Sequence, residues 1–111
     1  MNYQFYIKLD VQENKEVKLS ENHIISWNVR DLISASSEWF IVNEGCIGKA
    51  STMIPVLQKG ITQLKYFAKD YTKYEAMHGL GTIENVLKFY QSLLRDCMRY
   101  PNFLLCGELS K

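Results

Sequence analysis

Cysteine is scarce in this chain. Its 111 residues hold three, Cys46, Cys97 and Cys106, an odd count with no CxxC pair. A disulfide framework needs more, and a secreted fold would leave one thiol over. Histidine is scarcer still, with only His23 and His78. Neither residue type shows the CxxC or HxxxH spacing of a metal site, so no metal and no cofactor is implied. Charge of one sign is lacking too: 13 basic residues against 12 acidic ones give a net charge of +1. That excludes a broad polyanion-binding surface or an anionic membrane as partner. No apolar run approaches the roughly 18 residues of a membrane span. The start, Met1-Asn2-Tyr3-Gln4-Phe5-Tyr6, lacks the basic opening and continuous apolar stretch of a signal peptide. Repeats, low-complexity tracts and composition shifts are absent as well. The expectation is a single domain over residues 1–111, reduced and cytoplasmic.

What the chain does have is a core. It is 47% hydrophobic, 13% aromatic and 23% charged, which is the balance of a globular protein. Folding at this length buries roughly two-thirds of the unfolded surface.

The clearest local signal is alternation. Tyr3, Phe5, Ile7, Leu9 and Val11 alternate with Gln4, Tyr6, Lys8 and Asp10, the period of a strand with one dry and one wet face. The polar run 12–16 suits a turn, and Val17 and Leu19 restart the alternation, so a second strand within 17–27 completes a hairpin. Asn28 reads as an N-cap for a short helix carrying Val29, Leu32 and Ile33 and ending near Ser37. Trp39, Phe40, Ile41 and Val42 form an apolar run that is either a short strand or a buried loop.

A second helix takes Thr52 as N-cap and Pro55 in its first turn, where the missing amide hydrogen costs nothing. Its stripe is Ile54, Leu57, Ile61, Leu64 and Ala68. Gly60 interrupts it at a cost of about 1 kcal/mol relative to Ala, which a closely approaching backbone would justify. The third helix starts at Thr82 and buries Ile83, Val86, Leu87, Tyr90, Leu94 and Cys97, and Pro101 stops it. Phe103, Leu104, Leu105 and Cys106 read as a closing strand. The expected architecture is α+β: an antiparallel sheet of two to four strands packed against three helices, in the order β-β-α-α-α-β.

These elements carry a resemblance. Trp27-Asn28-Val29, then Pro55 through Ile61 with Leu64, then Tyr71 and Tyr74, the turn His78-Gly79-Leu80-Gly81-Thr82, and Cys97 through Pro101 follow one pattern. The pattern is similar to a family of small phage and prophage proteins of unknown function. Members of that family begin with a strand and a tyN segment and continue with a helix containing proline and kGl..L. They close with an NGWGt turn and a helix ending aC..yP. The match covers about residues 24–106. Leu80 stands where the family has tryptophan, and His78 where it has asparagine, so any ligand role of that tryptophan is lost here. The resemblance implies a fold and a viral context, and no catalytic residues.

Four groups of residues invite a chemical reading. Gly79, Gly81 and Thr82 open a helix, where free amides attract anions. A P-loop would need Gly-Lys-Ser/Thr after a strand, and that is missing, so structural helix entry is the plainer reading. His78, beside the turn, could serve a nucleophile such as Cys46 or Cys97, but Cys97 sits on an apolar stripe where a small buried residue is ordinary. The carboxylates Glu84, Asp96, Glu38 and Glu44 are expected on the solvated surface.

Finally, Lys65, Tyr66, Lys69, Tyr71, Lys73 and Tyr74 interleave lysine with tyrosine. Such a segment can grip phosphates and bases, or form a protein interface. More plainly, Tyr71 and Tyr74 can pack the helix end against the sheet.

The functional expectation is therefore a non-enzymatic, phage-type accessory protein. It would inhibit a host protein or defence system by stoichiometric binding, in the manner of an anti-CRISPR or other anti-defence factor, and could form a homodimer. The alternative is a small-nucleotide or nucleic-acid binder using residues 65–74 and the turn 79–82.

Overall fold

A computed structural model describes residues 2–9, 17–37, 45–75 and 82–110. In chain order they form β1 (Asn2–Leu9), β2 (Val17–Lys18), β3 (His23–Ser26), a 3₁₀ turn (Trp27–Val29) and α1 (Arg30–Ser37). Next come β4 (Gly45–Lys49), α2 (Ala50–Tyr66), a 3₁₀ segment (Ala68–Tyr74), α3 (Ile83–Arg99) and β5 (Leu104–Ser110). The class is α+β, as the sequence pattern implies. The turn at 12–16, the run Trp39–Val42, the carboxylates Glu38 and Glu44, and the residues His78, Gly79, Leu80 and Gly81 lie outside the described residues.

All pairings are antiparallel, and β1 lies inside the sheet with β5 on one side. On its other side run β3, with Phe5 opposite His23, and β2, with Lys8 opposite Lys18. Between those two ladders four residues, Leu19–Asn22, face only two, Tyr6 and Ile7. The expected second strand is thus split by a bulge. The Ser20 hydroxyl repairs the ladder there, accepting the Ile7 N–H at 2.8 Å. Among the described residues β4 pairs only with β5, and its own bulge brings Gly48 to φ 148°, a conformation that favours glycine.

Tyr3, Phe5, Ile7, Ile25 and Leu105 supply the sheet side of the core; α2 and α3 lie against the sheet, and α1 packs on α2 and α3. Tyr6 departs from the wet-face expectation. It is only 5% exposed, with Lys18 laid across its ring at 4.2 Å from the centroid.

Three helix details correct the sequence reading. Asn28 lies inside the 3₁₀ turn instead of capping α1, and its N–H donates to Ser26 Oγ at 3.3 Å. α2 begins at Ala50, not after Thr52. Its first amides donate to carbonyls of the segment before β5, Ala50 to Phe103 at 2.8 Å and Ser51 to Pro101 at 2.9 Å. The Thr52 hydroxyl instead donates to the Lys49 carbonyl. Pro55 is consequently the sixth helical residue, exposed, and one intrahelical bond is missing. α2 ends at Tyr66, so Ala68 belongs to the next segment.

α3 starts as expected, with Thr82 Oγ1 accepting the Asn85 N–H at 3.2 Å. Its buried residues are Val86, Phe89, Tyr90, Leu93 and Cys97, while Ile83, Leu87 and Leu94 are only partly covered. The reason is that α3 is buried on two sides. Phe89 meets Phe5 of the sheet at 5.6 Å between ring centroids, and Tyr90 lies against α2 at Gly60. The close neighbour of Gly60 is thus an aromatic ring, not a backbone.

Candidate functional site

The lysine–tyrosine segment begins where α2 stops. The Phe67 N–H closes the last turn on the Gln63 carbonyl at 2.9 Å, and Asp70 N–H then bonds the Phe67 carbonyl at 3.0 Å. This tightening sorts the side chains. Tyr71 and Tyr74 turn inward, pack on the core and lie 6.4 Å apart. The Tyr71 hydroxyl donates to Gln63 Oε1 at 2.8 Å. Lys65, Tyr66, Phe67, Lys69 and Lys73 remain outside, with Tyr66 69% and Phe67 50% exposed. Lys65 lies over the Tyr66 ring at 5.7 Å and Lys73 over Tyr74 at 5.3 Å. Residues Lys65–Asp70 enclose a shallow cavity of about 490 Å³. Six residues expected to act together are therefore split between a surface and a packing role.

Of the turn candidates, Thr82 is described, and it caps α3. The neighbouring Ile83 amide is occupied as well, donating to the Glu75 carboxylate at 3.0 Å. The protein's own anion thus sits at this positive helix end. An external anion would have to displace it.

A second site went unnoticed in the sequence. His23 Nε2 lies 2.5 Å from Asp96 Oδ2, joining β3 to α3 across 73 residues of chain. Their side chains are only 13% and 18% exposed. Asp96 is therefore not the solvated carboxylate expected. The pair stands between two cavities, of about 520 and 410 Å³, that both touch Asn22, His23 and Ser92. No sequence motif links these residues. The one available hint is that Lys88, Ser92, Arg95 and Arg99 share a helix face at i, i+4, i+7 and i+11.

Cys97, weighed as a nucleophile, is fully buried, and its thiol is pushed up to about 12 by burial and by the neighbouring Asp96 charge. A thiol held protonated is inert at neutral pH. Among the described residues, no cluster of three His, Cys, Asp or Glu side chains is placed to hold a metal. No described helix is long and apolar enough to cross a membrane.

Comparison with known proteins finds viral relatives. The chain is 24% identical over 107 residues to the inner capsid protein VP2 of a human isolate of Rotavirus B, a match covering 93% of this chain and 12% of VP2. It is 25% identical over 100 residues to VP2 of a rat isolate of Rotavirus B, covering 86% of this chain and 11% of VP2. The chain thus spans about an eighth of the length of these proteins. No protein-family model matches, and no solved structure matches.

Proposed function

We propose that this chain is a viral-type accessory protein of the phage kind its sequence resembles, acting without catalysis in the host cytoplasm. It works by stoichiometric binding to a host protein, with a defence system of the CRISPR or a related type as target. The observation carrying this reading is the exposed Tyr66–Phe67 pair at the end of α2, flanked by Lys65 and Lys69, with Lys73 exposed further along the same segment. Tyrosine and phenylalanine offer large contact area at small entropic cost, which is why such residues anchor interfaces. Three lysines against the single acid Asp70 select a partner with an acidic rim. The similarity to viral proteins supports the viral context. The same segment suits nucleic acid less well, because two of its four aromatic rings are spent on packing.

The test is phage plating on defence-positive and defence-negative hosts with and without this protein, paired with capture of the target from lysate. Protection of the phage only in defence-positive cells, lost on Tyr66→Ala together with Phe67→Ala, is the expected result. Equal plating in all cases and no captured partner would sink the idea.

A further inference from the structure

We propose that the groove between β3 and α3 is a binding site for a nucleoside monophosphate. Its two cavities lie side by side, with Asn22, His23 and Ser92 in the walls of both, and the ligand would reach across that shared wall. The first cavity is backed by Ile24, Ile25 and Phe89 and edged by the carboxamides of Asn2 and Asn85. An apolar wall rimmed by groups that both donate and accept suits a flat heteroaromatic ring with a hydrogen-bonding edge. An acyl chain would have no use for the amides.

The second cavity presents Arg95 and Arg99, one turn apart on α3, with Ser20 and Tyr100 beside them. Guanidinium forks match phosphate oxygens two at a time. Arg99 is steadied over the Tyr100 ring at 5.5 Å. Arg95 makes no ion pair among the described residues.

Two carboxylates share this cavity, Asp96 and Glu21. Asp96 is held by His23, and Glu21 is exposed on the opposite wall. Two arginines thus face two carboxylates, so the cavity has capacity for at most a single phosphate and disfavours a polyphosphate or a long polyanion. At the junction, the Ser92 hydroxyl, the Asn22 amide and the His23 ring are the kind of groups that contact a ribose.

The experiment titrates the full chain with AMP, GMP, CMP and UMP, with the four uncharged nucleosides, and with inorganic phosphate, reading heat and melting temperature. At least one monophosphate should bind, and its nucleoside and phosphate alone should bind at least about tenfold more weakly. Arg95→Ala and Arg99→Ala should each weaken it by about tenfold. Both arginines are exposed, so melting curves of these variants should match the parent. Gln58→Glu, on the exposed side of α2, should leave the affinity unchanged. Absence of binding by all four monophosphates overturns the assignment. So does equal binding of inorganic phosphate, or affinity that survives both arginine substitutions.

Discussion

A Cβ placed on Gly60 would stand 2.5 Å from Cε2 of Tyr90 and 2.9 Å from its Cζ. Gly60 of α2 is thus the socket for the largest fully buried side chain among the described residues. The ring has little room to retreat. Its hydroxyl meets Ser36 Oγ at 2.7 Å, Ser37 Oγ at 3.1 Å and the Ile33 carbonyl at 3.2 Å, all from α1.

Gly60→Ala should therefore destabilise the protein by about 1–3 kcal/mol, the usual range for overpacking, even though helix propensity favours alanine by about 1. Urea unfolding measures it. In a Tyr90→Leu background the same substitution should be milder, since the obstructing ring is gone. An equal cost in both backgrounds would show that the contact does not govern this position.

Tyr90→Phe should cost about 1–2 kcal/mol, because the hydroxyl's bonds into α1 are made away from water. The two serines keep partners in the variant, Ser36 on the Leu32 carbonyl and Ser37 on the Ile33 carbonyl, which limits the loss. A melting temperature unchanged from the parent would refute this.

Stability should fall in alkali. Burial raises the Tyr90 phenol from 10.0 to about 12, and burial with the Asp96 charge raises the Cys97 thiol from 9.0 to about 12. Both groups lose their protons more easily in the unfolded chain. The contribution is thus complete below pH 9 and is lost as the pH rises toward 12. Denaturant midpoints followed from neutral pH upward should begin to drop near pH 9, and Cys97→Ala should remove that early part of the decline.

Asp96→Asn should loosen the edge of the sheet. It removes the charge that His23 faces, a partly buried contact worth about 1–3 kcal/mol for a charged hydrogen bond. Hydrogen exchange should quicken at β3 more than at β5, and the Cys97 thiol should titrate lower because its acidic neighbour is gone. Uniform exchange at both strands would contradict a local role.

How much of this was legible in the sequence depends on the distance over which each feature is determined. The alternation of Tyr3, Phe5 and Ile7 and the Thr82 cap are local, and each matches the structure. The start of α2 was not legible, because the carbonyls that receive its first amides come from Pro101 and Phe103, about half the chain away. Phe89 and Leu93 were missed because a single helical stripe presumes one buried side, whereas α3 has two. The His23–Asp96 pair, built from residues 73 positions apart, leaves no local trace at all. Tyr71 and Tyr74 show the limit from the other side: their spacing was visible, and only packing told which way they turn.

The position of β5 has a consequence for synthesis. The hairpin of β1 with β2 and β3 is local in the chain, but among the described residues β4 pairs only with β5. During synthesis β4 stays without this partner through both long helices, until residues 104–110 slot between it and β1. Closing that gap over so long a loop makes the docking of β5 the step that joins β4 to β1 in one sheet.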